Sequence, residues 1–172
     1  LFQVPSSYRF TEARLSAILS QLHPARRNVV EFRHSSWWNE TVYAAFRQSG
    51  TIVCACRGPR LPDDLVRTAD EVYLRLHGPD RWYRHDYAES ELTEWADKIR
   101  SSGAKRAWIY FNNDYEGFAP KNALAMRHLL ANRSADDETP VAAGGQRLQM
   151  GSWADCRAAG PLSDRCRRQM SP

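Results

Sequence analysis

The sequence predicts an α/β fold: a partial β/α barrel of about five strand–helix units out of eight, followed by a disordered C-terminal tail. Three observations carry this. Apolar strand-like runs alternate with helical stretches, the strands about 20 to 35 residues apart, which is the pattern of a parallel sheet with helical crossovers. Polar residues share strand faces, Glu31 with Arg33, Arg75 with His77 and Tyr110 with Asn112. An open sheet covered by helices on both sides has near-continuously apolar strands; in a barrel one face of every strand points to a common axis where such groups can pair. Finally, the alternation stops after about 132 residues, short of the roughly 250 of a complete eight-unit barrel.

The elements follow in order. Leu1 to Val4 is a short apolar strand stopped by Pro5-Ser-Ser. Thr11 caps a helix whose Leu15, Ile18, Leu19 and Leu22 form one apolar stripe. Asn28 to Arg33 is a second strand. Ser35 or Ser36 caps a helix with Trp38, Val42, Ala45 and Phe46 inward, closed by Gly50. Thr51 to Cys56 is a third strand, and a short helical turn over 63–68 leads to the fourth, Glu71 to His77. There Tyr73, Arg75 and His77 face one way and Leu74 and Leu76 the other, because side chains alternate along a strand. Ser90 caps the next helix, with Leu92, Trp95, Ala96 and Ile99 inward and Gly103 at its end. Ala107 to Asn113 is the fifth strand, and Pro120 sits in the first turn of a last helix carrying Ala123, Met126 and Leu130. Residues 133–172 have few large apolar groups and no periodicity, which predicts disorder. The expected division is a 1–132 barrel domain and a 133–172 tail.

Composition excludes little else. At 42% hydrophobic and 26% charged, the chain is ordinary globular material. No apolar run approaches the ~18 residues of a membrane span, so no membrane role is expected. The net charge of +4 is mild, and Arg157, Arg165, Arg167 and Arg168 of the tail supply part of it. No basic stripe marks the folded part, which places nucleic-acid binding behind a small-molecule role. Cys54 and Cys56 read as buried free thiols, and a reducing cytoplasm is the expected compartment.

Three spaced motifs carry a resemblance: Val30-Glu-Phe-Arg-His-Ser-Ser-Trp37, Val72-Tyr-Leu-Arg-Leu-His-Gly78, and Tyr110-Phe-Asn-Asn113 with Gly117, Ala119-Pro120 and Asn122-Ala123. Together with Leu1-Phe-Gln-Val-Pro5 they resemble the YecE-like family, domain of unknown function 72, from residue 1 to about 132. The resemblance implies a TIM-type β/α barrel and a chain without the family's N-terminal strands, its five strands corresponding to the last five of eight. One departure is Cys56-Arg57, where many members carry an Asp. The resemblance implies a fold and a pocket, not a reaction.

Chemistry in β/α barrels sits at the C-terminal strand ends. Here these ends bear Glu31, Arg33, Arg75, His77, Tyr110 and Asn112. Two guanidinium groups suit a carboxylate or phosphate, each offering a planar bidentate fork. The catalytic candidates are His77, as a proton carrier, and Glu31, as a general base or the partner of an arginine. Arg33, Arg75, Asn112 and Tyr110 are the substrate-binding candidates. Glu31, Arg33 and Arg75 read equally well as an internal ion-pair network. His34 reads as a helix cap, while Trp82, Tyr83 and Tyr87 lie in a loop on the side of His77. Imidazole and carboxylate at Glu31, His77 and His34 suit Zn, Mn or Fe, but no paired-histidine spacing supports a metal site and none is assigned; no cofactor or oligomeric state is assigned either. The leading expectation is an enzyme acting on a small anionic or sugar-like substrate. The alternatives are a nucleic-acid-binding or nucleic-acid-processing barrel and an inactive truncated fragment.

Overall fold

The computed structural model describes residues 1–132; the tail expected over 133–172 lies outside the described residues. Strands β1 (Phe2–Val4), β2 (Val29–Phe32), β3 (Ile52–Arg57), β4 (Glu71–Leu76) and β5 (Arg106–Phe111) form one parallel sheet in sequential order. Helices α1 (Glu12–Gln21), α2 (Glu40–Ser49), α3 (Glu89–Ser101) and α4 (Phe118–Asn132) connect or follow the strands. Their apolar faces pack on one side of the sheet. This is the arrangement of part of a TIM-like barrel, as expected.

Alternation along each strand produces that one-sided packing. On β2 and β3, Val30, Phe32 and Val53 point outward into a cluster with Leu15 of α1 and Val42 and Phe46 of α2. On β4, Leu74 and Leu76 are fully buried against Leu92, Trp95 and Ala96 of α3 and Met126 of α4. Removing a leucine side chain of this kind from water stabilises the fold by about 1.5–3 kcal/mol.

Several local expectations need correction. Thr11 does cap α1, accepting from the Arg14 N–H at 3.2 Å. The α2 cap, however, is Asn39, whose Oδ1 accepts from the Val42 N–H at 3.0 Å, not Ser35 or Ser36. Those two residues belong to a single tight turn, Ser35–Trp37, and the Ser36 hydroxyl is taken by the Phe10 N–H. The fully buried tryptophan is Trp37, stacked on Phe32 with centroids 4.2 Å apart and donating its indole N–H to the Tyr8 carbonyl; Trp38 also packs against this cluster, partly buried and edge-on to Phe32. No helical turn forms over 63–68. Thr68 instead ties this segment to β3, its hydroxyl donating to the Thr51 carbonyl and accepting from the Val53 N–H. Helix α3 starts one residue before Ser90, because the Glu91 carboxylate reaches back to the Ala88 N–H at 2.9 Å and satisfies one of the free donors of the first turn. Pro120 does fall in the first turn of α4, and Gly50 closes α2 in the left-handed conformation. Among the described residues, no helix is long and apolar enough to cross a membrane.

Candidate functional site

The opposite, inner face of the sheet is layered by register. Its floor is apolar, made of Val29, Ile52 and Cys54 with Tyr73 beside them. One step further along the strands, Gln3 pairs with Glu31, Cys56 with Arg75, and Arg75 with Tyr110. His77 and Asn112 follow at the strand ends.

Glu31 is the centre of this layer. It is fully buried, and its two carboxylate oxygens hold two different arginines. Arg33 donates Nε–H to Oε1 at 2.7 Å, and Arg75 donates Nη1–H to Oε2 at 2.5 Å. Burial pushes the Glu31 carboxyl up, but the hydrogen bonds and charges of Arg75 and Arg33 outweigh it and hold the group below its ordinary range. The ion-pair network expected from the sequence is therefore present as geometry. Two cations against one anion leave a positive charge uncompensated.

The arginines are held further outward as well. Arg75 Nε–H donates to Asn112 Oδ1 at 3.1 Å, and both guanidinium groups approach Gln3 Oε1, at 3.3 Å and 3.4 Å. Arg33 lies over the Trp82 ring, 4.6 Å from its centroid. Their side chains keep 15% and 17% exposure, so both can meet a ligand from solvent. A cleft of about 490 Å³ opens beside Arg33, bordered by Ser6, His34, Pro59, Arg60 and Trp82.

His77 is brought to the same layer, with Nε2 3.8 Å from Glu31 Oε1. Neither of its ring nitrogens has a hydrogen-bond partner among the described residues, and both are buried. Burial lowers its pKa to about 4; the Glu31 charge opposes this and the two arginines add to it. The imidazole is neutral at neutral pH. Trp82 and Tyr83 roof it, each ring edge-on to the imidazole at 5.2 Å and 5.5 Å.

The roof is built by backbone conformation. Gly78 has φ +108°, and a Cβ there would lie 2.6 Å from the Arg81 carbonyl oxygen, so only glycine makes this turn without displacement. Tyr83 adopts φ +69°, held by its N–H donating to the His77 carbonyl and its own carbonyl accepting from the Tyr115 N–H. The far side of the loop is clamped by asparagines. Asn122 Oδ1 accepts from Asn113 Nδ2 at 2.6 Å and its Nδ2 donates to Asp86 Oδ1 at 3.0 Å.

Of the sequence-predicted residues, Glu31, Arg33, Arg75, His77 and Asn112 converge. Tyr110 pairs with Arg75 in register, but its ring stacks on Tyr73 with centroids 4.9 Å apart. His34 borders the cleft beside Arg33, but its Nδ1 accepts from the Ser36 N–H, as a cap. Tyr87 does not join the roof. It is buried in the helix-side cluster, its hydroxyl accepting from the Gly78 N–H at 2.9 Å.

Three contributors escaped the sequence reading. Cys56 lies with Sγ 3.7 Å from Glu31 Oε1, and Glu31 and burial push its thiol up to about 12, burial being the larger cause. Gln3 was legible through its alternation with Val4. Gly58 carried no signal, yet a Cβ there would come within 2.5 Å of Trp82 Cη2, so its bareness seats the roof.

Residues 1–145 match the family model described as protein of unknown function DUF72. Among solved structures, the chain is similar to a DUF72 family protein from Thermotoga maritima, 27% identical with a TM-score of 0.67, over 74% of this chain and 55% of that one. Two structures of a DUF72 family protein from Enterococcus faecalis are 19% and 21% identical, with TM-scores of 0.66 and 0.65, over 74% of this chain and 56% and 59% of theirs. The chain thus spans less than two thirds of the length of these proteins. None of the curated proteins compared matches it.

Proposed function

This chain belongs to the DUF72 family, the YecE-like family that its motifs resemble, and on that premise we propose that its strand-end site binds a small anion carrying a carboxylate or phosphate group and acts on it. One observation carries the reading: two guanidinium groups share a single buried carboxylate beside a buried imidazole with no hydrogen-bond partner among the described residues. A cation pair that exceeds its internal counter-charge attracts an external anion, and the planar fork of each arginine suits two oxygens at once.

In this reading Arg33 and Arg75 hold the anion, and Glu31 holds the arginines. Asn112 sets the Arg75 plane. His77 is the catalytic candidate, because its free nitrogens are the unsatisfied polar atoms next to where the anion arrives. Glu31 is a poor general base here, since both its oxygens are engaged. Trp82 and Tyr83 give the body of an organic anion an aromatic wall.

Titration of the full chain with inorganic phosphate tests the reading by calorimetry. Arg75→Ala should weaken phosphate binding about 10- to 100-fold, the equivalent of one charge-assisted hydrogen bond of about 1.5–3 kcal/mol. Equal affinity in wild type and variant removes the proposal.

A further inference from the structure

We propose that Glu31, Cys56 and His77 form a site for one divalent cation of the zinc class. The inference goes beyond the anion reading and uses different atoms. Three neighbouring strands deliver one oxygen, one sulfur and one nitrogen to a single buried spot, with all three ligand atoms within 4.8 Å of one another. Cys56 Sγ and His77 Nε2 lie 3.7 Å and 3.8 Å from the same oxygen, Glu31 Oε1. An ion bound tetrahedrally at ordinary zinc distances spaces its ligands about 3.3 to 3.6 Å apart. Two of the three separations are within a few tenths of an ångström of that, and the third, Cys56 Sγ to the His77 nitrogen, is no more than 4.8 Å.

The second observation is His77 itself. A fully buried imidazole with neither nitrogen bonded is destabilising, and an ion at Nε2 gives it a partner. None of the side chains around it supplies one: Trp82 and Tyr83 present ring edges, and the Glu31 oxygen stops short at 3.8 Å.

The strongest objection is charge, because the two guanidinium groups already sit on the Glu31 carboxylate. The thiol answers part of it. A carboxylate has about four lone-pair positions; Arg33 and Arg75 take one each, and the one facing Cys56 is free for an ion once the thiol proton has gone. Binding releases that proton to solvent, Cys–SH plus the dication giving a metal-bound thiolate and one H⁺. The thiolate cancels one of the ion's two charges; Glu31 is already shared by Arg33 and Arg75, so the loaded site is net positive and draws an anion to its open position. A sulfur and an imidazole nitrogen select zinc, cobalt(II) or iron(II) over magnesium or calcium, which favour oxygen. Three protein ligands leave a fourth position open, and it would lie beside the arginine pair.

Cobalt(II) added to the metal-free full chain is the probe, read as the sulfur-to-cobalt charge-transfer absorption in the near ultraviolet. Wild type should develop the band and saturate at one ion per chain. Cys54→Ser, whose thiol is outside the set, should keep it; Cys56→Ser should lose it; and His77→Gln should weaken cobalt binding at least about tenfold. No band in wild type overturns the proposal. So does a band that survives in Cys56→Ser, which would place the ion on another thiol. If Cys56→Ser fails to fold by circular dichroism, X-ray absorption of the wild-type cobalt complex decides instead: one sulfur with an imidazole supports the site, and any other sulfur count sinks it. Phosphate titration of metal-free protein separates the two readings. Phosphate binding without the band defeats the metal site alone, and the band without phosphate binding defeats the anion reading alone.

Discussion

On β4 the outward side chains Val72, Leu74 and Leu76 are buried under the helices, while the inward Tyr73 and Arg75 retain exposure and lead to His77. The outward face is redundant, since many apolar contacts share its stabilisation and any hydrophobic side chain of similar volume would serve. The inward face is not. Arg75, Glu31 and Arg33 form a chain in which each group has few alternatives, and removing one leaves a charge beside a low-dielectric wall. Stability is therefore concentrated on one side of the sheet, and the proposed ligand chemistry lies on the other.

That division can be broken deliberately. The largest stability loss should come from the outward face. Leu74→Ala should cost about 3 kcal/mol, measured as the shift of the denaturant midpoint, while the folded fraction binds phosphate as before. If phosphate affinity falls as well, the two faces are coupled and the contrast is wrong. Next comes Glu31→Gln. Taking away one partner of a buried ion pair typically costs about 3–5 kcal/mol, and the partial exposure of both guanidinium groups lowers the expected figure to about 2 kcal/mol. The sharper signature is one that Leu74→Ala lacks: freeing two arginines should tighten phosphate binding. Gly58→Ala should cost about 1–2 kcal/mol through overpacking against Trp82, and a shift of tryptophan fluorescence would report that the roof had moved. An unchanged spectrum would mean that the roof does not depend on this close approach. Asn39→Ala should have the smallest effect, about 1 kcal/mol in thermal melting, with no change in phosphate affinity.

How far the site was legible varies residue by residue. Arg75 and His77 stood out because alternation set them on the face opposite Leu74 and Leu76 within one short run. Glu31 and Arg33 were visible for the same reason. An ion-pair network of these groups with Arg75 was one of the two sequence readings; which carboxylate oxygen holds which arginine was not legible, because it depends on the register that puts Cys56 beside Arg75 and Gln3 beside Glu31. The place of Tyr87 was not legible: periodicity cannot say that a loop aromatic turns back into the helix layer to accept from the Gly78 N–H. Two of the helix starts failed in the same way. Ser35, Ser36 and Ser90 have the right chemistry for caps, but Asn39 and Glu91 had the geometry, and which donor is left free depends on where the chain enters the helix.

By itself, the order of residues determined the strand–helix alternation, the apolar face of each element and the polar face of each strand. Those are consequences of local periodicity, since a strand repeats every two residues and a helix every 3.6. Tertiary structure alone decided that Glu31 serves two arginines, that Trp82 can lie over Gly58, and that the imidazole of His77 and the thiol of Cys56 meet at one carboxylate oxygen. These contacts join residues far apart in the chain, and their distances follow from strand register and loop closure, which no local pattern encodes.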